Sequence, residues 1–476
     1  MNHTKTKNRY KVCLIVDNPL RDLDGLVLLA WHLANRNTEV FLVPMYFIEE
    51  VFHIKPDLVL VNYARCTNRD FISQCGLCGI LVGVLDTEGG VILNWNLFLE
   101  NAARHVEHVD LYCVWGKKQY EALKGNTEFA GVVLQATGCP RYDFCVSPWN
   151  DAQPQISLDD NKMVLVNTNF PIAIPRYNTA DKEVRGLIAN GYEEKYAYDL
   201  LSQNKLALGE IVKTVKHIAA KFPDVTFVVR PHPFENDEFY KSEFNGIENV
   251  EVHREGPVFP WIRRSLTLLH FNCSTAFDAV MQNVEPVYMD WIKLPLLRQE
   301  TTYRISQIAG SLKELEDMLS VLVNGGKMPV SETQTDIRKE LIRDYFFAAD
   351  GKCSERVSNA IIEILEQKKG KKTETGGDYI KIVIVDLLRK RKWKNLARNT
   401  ILYMLGSRGY QKIKSLLLKR GETGKEFNVD DIRLILERIS SASGDDGSYG
   451  LEVATARNNI AGFRGALFSV RISRIN

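Results

Sequence analysis

Short, continuously apolar runs alternate with helix-forming stretches along most of this chain, and that rhythm limits the fold more than any other feature. Tyr10-Lys-Val-Cys-Leu-Ile-Val16, Glu39-Val-Phe-Leu-Val-Pro44, Leu58-Val-Leu-Val-Asn62, Gly79-Ile-Leu-Val-Gly-Val-Leu85, Leu111-Tyr-Cys-Val-Trp115 and Gly131-Val-Val-Leu134 have no polar face. Strands of that kind are buried on both sides, as happens when helical crossovers cover a parallel sheet. A helix over Gly25–Ala34 falls between the first two strands. Residues 1–150 are therefore expected to form a doubly wound α/β domain.

A polar segment with Pro148 and Pro154 reads as a linker, after which the rhythm restarts. Met163-Val-Leu-Val-Asn167, a helical stretch around 194–221, Phe227-Val-Val-Arg230, Val250-Glu-Val-His253, Leu266-Thr-Leu-Leu-His270 and Glu285-Pro-Val-Tyr-Met289 predict a second Rossmann-like half over 151–332. Segment 333–368 is helical and amphipathic, interrupted near Asp350-Gly351, and is expected to pack back on the core. Beyond it, 369–476 reads as a polar linker followed by a basic helical extension. The fold class is α/β, with two Rossmann-like halves facing each other. A chain of 476 residues is long enough for both.

A near-neutral formal charge of +2 gives no field for coating nucleic acid, so none is expected as a partner. No apolar run reaches the ~18 residues of a membrane span, and the polar amino terminus lacks a signal-peptide core. A cytoplasmic protein is expected. Residues 381–420 carry twelve Lys or Arg against the single acid Asp386, interleaved with apolar side chains. Two readings stand side by side: a peripheral contact with the cytosolic face of the inner membrane, or a solvated helical face on the body.

The second half carries an anion-site pattern. Arg230-Pro-His232-Pro233 leaves a buried strand, and the prolines fix the loop that aims the histidine. The His270 strand breaks into Asn272-Cys-Ser274-Thr275 and then opens a helix, with Ser274 placed to cap it. A guanidinium, an imidazole, hydroxyls and helix-terminal N–H groups suit a phosphorylated donor. Arg230 would fork phosphate oxygens and His232 would hydrogen-bond or protonate the leaving phosphate.

The first half supplies acidity. Asp86-Thr-Glu88-Gly-Gly90 follows a buried strand, so either carboxylate could deprotonate an acceptor hydroxyl; the plainer reading makes Asp86 a turn cap and Glu88 a solvated side chain. Asp17, Arg21 and Asp24 after the first strand, with Asn62 and Arg65 after a later one, are candidate acceptor contacts on the same rim. Asp22-Leu-Asp24 has the spacing of a cation-holding pair but stands at a helix start, where carboxylates are favoured anyway. Cys75-Gly-Leu-Cys78, with Cys66 and His53 as conceivable further ligands, lacks a second C-x-x-C and reads as buried thiols. Neither a metal nor a cofactor is expected. No G-x-G-x-x-G, G-x-x-x-x-G-K-[ST] or G-x-S-x-G occurs in context, which argues against dinucleotide redox, P-loop hydrolysis and serine hydrolase chemistry.

Taken in order, Leu85-Asp-Thr-Glu-Gly89, Trp115-Gly116, Thr137-Gly-Cys-Pro-Arg141, Arg230-Pro-His-Pro233, Ser274-Thr275 and Asp350-Gly-Lys-Cys-Ser-Glu-Arg356 resemble the bacterial surface carbohydrate biosynthesis protein family over roughly residues 10–366. The resemblance implies a GT-B glycosyltransferase that needs no metal and takes a nucleotide-sugar donor and a glycan or lipid-linked acceptor. His232-Pro233 with hydroxyls at 274 and 275 is similar to enzymes using CMP-activated acidic sugars, the bacterial sialyltransferases and Kdo transferases. Those sialyltransferases carry an acidic pair before glycine as the base motif. Here Thr87 replaces the first acid, which leaves the base open between Asp86 and Glu88. Two rivals remain, a teichoic-acid-type CDP-polyol phosphotransferase and a non-catalytic nucleotide-sugar-binding scaffold.

Overall fold

The computed structural model describes residues 10–87, 95, 98–100, 105–156, 162–189, 191–368, 379–390, 397, 427–457 and 464–475. Two compact units emerge, one from residues 1–152 with 343–476 and one from 153–342. Each is built around six parallel strands, so the chain is α/β with two sheets, as the strand rhythm predicts.

In the first unit six strands run parallel: β1 (Tyr10–Val16), β2 (Thr38–Pro44), β3 (Leu58–Val61), β4 (Leu81–Leu85), β5 (Leu111–Val114) and β6 (Val133–Ala136). Their order is β2-β1-β3-β4-β5-β6. Helix α1 spans Pro19–Ala34 and starts six residues earlier than the sequence reading placed it. Asn18 caps it by accepting the Leu20 N–H, and Pro19 occupies a first-turn position where its missing N–H costs nothing.

The carboxyl-terminal extension is more than basic helix. A helix over Val429–Ser443 leads to β13 (Ser448–Arg457) and β14 (Arg464–Ile475); β14 pairs antiparallel with β2, and β13 pairs with β14. The buried Glu50 carboxylate fixes this hairpin by accepting the Phe468 and Ser469 N–H groups at 2.7 and 2.9 Å, beside a Phe47–Phe468 ring stack. Burial raises the Glu50 pKa from 4.5 to about 7, against the lowering effect of those two bonds. A carboxyl group that holds its proton more tightly folded than unfolded adds stability below the unfolded value and loses it as pH rises through the folded one. Melting temperatures should therefore fall for wild type relative to Glu50→Gln between about pH 4.5 and about pH 7. Parallel curves would show that Glu50 does not titrate there.

Two motifs far apart in sequence are joined in this unit. The buried Asp143 carboxylate accepts the Cys353 and Ser354 N–H groups at 2.8 and 2.7 Å, which caps the helix Cys353–Gln367 from another segment. Arg356 donates to the Thr137 carbonyl at 2.9 Å and pairs with Asp350, while the Trp149 indole donates to the Gly351 carbonyl. Gly351 has φ +70°, so glycine suits the turn.

The second unit has β7 (Lys162–Asn167), β8 (Val225–Arg230), β9 (Val250–Val252), β10 (Leu268–His270), β11 (Pro286–Met289) and β12 (Gln307–Ala309), all parallel, in the order β12-β11-β10-β7-β8-β9. The long helix Glu194–Lys221 buries Leu208, Ile211, Val215 and Ile218 against this sheet. No helix among the described residues is long and apolar enough to cross a membrane. Of segment 381–420, residues 381–390 and 397 are described; the rest lies outside the described residues.

Candidate functional site

Open parallel sheets bind ligands where neighbouring strands send the chain in opposite directions, beyond their carboxyl ends. In the first unit that point lies between β1 and β3. A pocket of about 390 Å³, including its open mouth, sits there, lined by Asp22, Gly25, Asn62, Asp86, Thr87 and Arg141 among others.

Asp86 follows β4 directly and is buried. Its carboxylate accepts the Tyr112 hydroxyl at 3.2 Å and lies 3.4 Å from Arg65 Nη2. Tyr112 comes from the middle of β5, and burial together with the Asp86 charge pushes its pKa well up, so it stays a donor. Asn62 donates Nδ2 to the Ile15 carbonyl at 3.1 Å, which fixes the amide and leaves Oδ1 buried with no hydrogen-bond partner. The Thr87 N–H donates to the Asn62 carbonyl, so the ends of β3 and β4 are tied together. Asp86, already bonded to Tyr112 and paired with Arg65, and the unmet Asn62 Oδ1 give this pocket an acceptor character that suits a ligand's donor groups.

Arg141 lies over the Trp115 and Tyr142 rings at 4.9 and 4.8 Å and donates to the Tyr142 hydroxyl. Its Nη1 is 3.9 Å from Asp22, which also accepts Arg21 at 2.7 and 3.0 Å. Arg21 reaches Asp17 at 3.4 Å. Asp24 goes elsewhere: it pairs with Arg438 of the helix Val429–Ser443 at 3.5 Å, and burial raises its pKa against that pairing. Asp24, expected on the same rim as Asp17 and Arg21, instead engages a cation different from that of Asp22, because two residues along α1 turn a side chain by about 200° round the helix. Sequence reading missed Asp22 and Arg141 as pocket residues; Arg141 was visible only inside a motif. Glu88 lies outside the described residues.

Cys75 and Cys78 are buried, and burial pushes both thiols up, Cys78 to about 12. They are protonated core thiols. Among the described residues no three His, Cys, Asp or Glu side chains are grouped to hold a metal.

In the second unit the corresponding point lies between β7 and β10. Asn167 at the end of β7 donates Nδ2 to Thr275 Oγ1 at 2.9 Å, and that hydroxyl donates to Cys273 Sγ. Asn167 Oδ1 and Asn272 Oδ1 are both buried with no hydrogen-bond partner. Ser274 precedes the helix Thr275–Met281 but has helical φ and ψ, −62° and −16°, and makes no side-chain cap bond, so the expected cap does not form. Its side chain is exposed.

Arg230 also departs from expectation. Both of its Nη groups donate to backbone carbonyls, those of Glu255 at 3.0 Å, Gly256 at 2.8 Å and Arg254 at 3.4 Å, and its guanidinium lies 5.0 Å from the Trp261 ring centre. Burial lowers its pKa to about 10. A guanidinium used in this way braces the 254–256 loop rather than forking phosphate. His232 accepts the Phe234 N–H on Nδ1 at 3.3 Å, which assigns the proton of the neutral ring to Nε2. Buried Glu235, which sequence reading passed over, accepts the Thr168 and Tyr240 hydroxyls at 2.7 Å each and the Phe170 N–H at 2.5 Å. It fixes the ends of the β7 and β8 loops.

No family model and no curated protein matches the chain. Among solved structures, an S. aureus MnaA–UDP co-structure is 14% identical, with a TM-score of 0.46 over 75% of this chain and 97% of that one. A UDP-GlcNAc 2-epimerase from Methanocaldococcus jannaschii is 13% identical, with a TM-score of 0.47 over 74% and 99%. The wall teichoic acid polymerase TagF is 10% identical, with a TM-score of 0.47 over 75% and 89%.

Proposed function

We propose that this protein is a glycosyltransferase that moves a sugar from a nucleotide-activated donor to a hydroxyl of a surface-glycan acceptor. The observation that carries the reading is the first-unit pocket, where buried Asp86 and the unmet Asn62 Oδ1 offer two acceptors to an incoming hydroxyl. In the mechanism Asp86 takes the hydroxyl proton as the acceptor oxygen attacks the anomeric carbon, with the Tyr112 hydroxyl holding the carboxylate in place. Asn62 orients the same acceptor. The second unit offers groups of its own for a departing donor phosphate, His232 Nε2–H and the Ser274 hydroxyl, while Asn167 and Asn272 can accept from hydroxyl or amino groups. Arg230 acts indirectly, by holding the loop beside His232. The resemblance of its sequence motifs to those of surface carbohydrate enzymes supports the same reading.

Nucleotide binding is the first requirement. A ligand that binds only the folded state at a hundred times its Kd stabilises it by about 2.7 kcal/mol, so one of CMP, CDP, UDP or GDP should raise the melting temperature of wild type and do so less for His232→Ala. If all four leave wild type unmoved, the nucleotide-sugar reading fails.

A further inference from the structure

The second unit presents two large aromatic side chains to solvent beside His232. Phe234 is 56% exposed and Tyr177 55% exposed, with ring centres 6.4 Å apart at 70°. The His232 ring centre is 5.6 Å from that of Phe234. The pair is held edge to face beyond the carboxyl ends of the parallel strands, the end of such sheets where ligands bind.

Their backbones are tied to each other. Arg176 N–H donates to the Phe234 carbonyl at 2.8 Å, Asn236 N–H donates to the Ile174 carbonyl at 2.9 Å, and Pro175 and Glu235 form an antiparallel bridge between the two segments. Glu235 is pinned by the three side-chain bonds described above, and Arg176 is paired with Asp237 while lying 5.7 Å from the Tyr177 ring centre. Arg254 holds the other side of the loop by donating to the Pro233 carbonyl. The rings are thus presented by a rigid frame, and a preorganised aromatic surface loses little entropy when a ligand settles on it.

We propose that Tyr177 and Phe234 form a stacking platform for pyranose rings of a glycan chain. A sugar ring shows an apolar C–H face that packs on an aromatic face, and hydroxyls around its edge that need polar partners; the Tyr177 hydroxyl is one such partner. More than half of each ring faces water, which suits a chain laid across a surface better than a base enclosed in a slot. The platform deepens the function proposed above and rests on it for the nature of the ligand.

Saturation-transfer NMR on the full chain, with maltohexaose, chitohexaose and deacylated lipopolysaccharide core oligosaccharide as probes, tests it. At least one probe should bind wild type through its ring C–H protons. Tyr177→Ala and Phe234→Ala should each weaken that binding roughly tenfold, and Tyr177→Phe should retain most of it. Both residues are exposed, so the variants should melt close to wild type. No binding of any probe to wild type, or unchanged binding by the double alanine variant, overturns the platform. Loss of nucleotide stabilisation in the variants, with glycan binding intact, would assign the rings to a nucleobase and also overturn it. The nucleotide melting shift of wild type reports separately on the transferase reading, so the two failures are distinguishable.

Discussion

Asp86→Asn is expected to lower glycosyl transfer roughly 10²–10⁴-fold, the range typical of losing a positioned general base, while leaving the nucleotide melting shift at its wild-type size. The substitution keeps the volume and an acceptor oxygen for the Tyr112 hydroxyl but removes the negative charge that takes the proton. In the proposed function the donor is held by the second unit, so its binding should not respond. Tyr112→Phe separates chemistry from position: without its hydroxyl bond the buried carboxylate is less stabilised when charged, so the acid limb of the rate profile should move to higher pH. A merely structural Tyr112 would lower activity equally at every pH. Full activity in Asp86→Asn would remove Asp86 from the mechanism.

The second large effect is on stability. A Cβ placed on Gly25 would stand 2.5 Å from the Arg141 backbone nitrogen and 2.9 Å from its Cα. Backbone atoms cannot swing aside as a side-chain tip can, so α1 would have to move away from Pro140 and Arg141, which line the pocket with it. Gly25→Ala should cost about 3 kcal/mol and weaken acceptor use together with stability. Gly209, inside the helix Glu194–Lys221, has nothing within 4 Å of its added Cβ. Gly209→Ala should therefore gain about 0.5–1 kcal/mol, through helix propensity and a less flexible unfolded chain. Thermal unfolding of both variants beside wild type checks the pair, and equal melting temperatures for Gly25→Ala and wild type would mean that the contact relaxes freely.

The two sheets were legible because a strand buried on both faces must be apolar throughout, and Val12 to Val16 or Leu58 to Val61 show that without any tertiary knowledge. Strand ends were legible for the same reason, since the first polar residues after such runs, Asn62 and Asp86, fall where the sheet stops. What those side chains meet was less accessible. An arginine at the end of a strand reads alike whether it faces a ligand or a neighbouring loop, and only the structure shows Arg230 bound to the carbonyls of 254–256. Asp24 finds its partner at Arg438, more than four hundred residues away. Ser274 has the identity of a cap, but its backbone has already turned helical, so the hydroxyl is not aimed at the following N–H groups. The β13–β14 hairpin was missed because its docking depends on β2 and Glu50, neither of which leaves a mark in residues 448–475.

The most direct test follows two labels from one donor, once the nucleotide screen has named it: one label in the sugar and one in the phosphate next to it. Glycosyl transfer cleaves the bond between the anomeric carbon and the phosphate oxygen, so the sugar label alone should enter the polymer. Phosphorus label arriving in the polymer with the sugar would contradict this account and show that the chain transfers a phosphoryl-linked group instead.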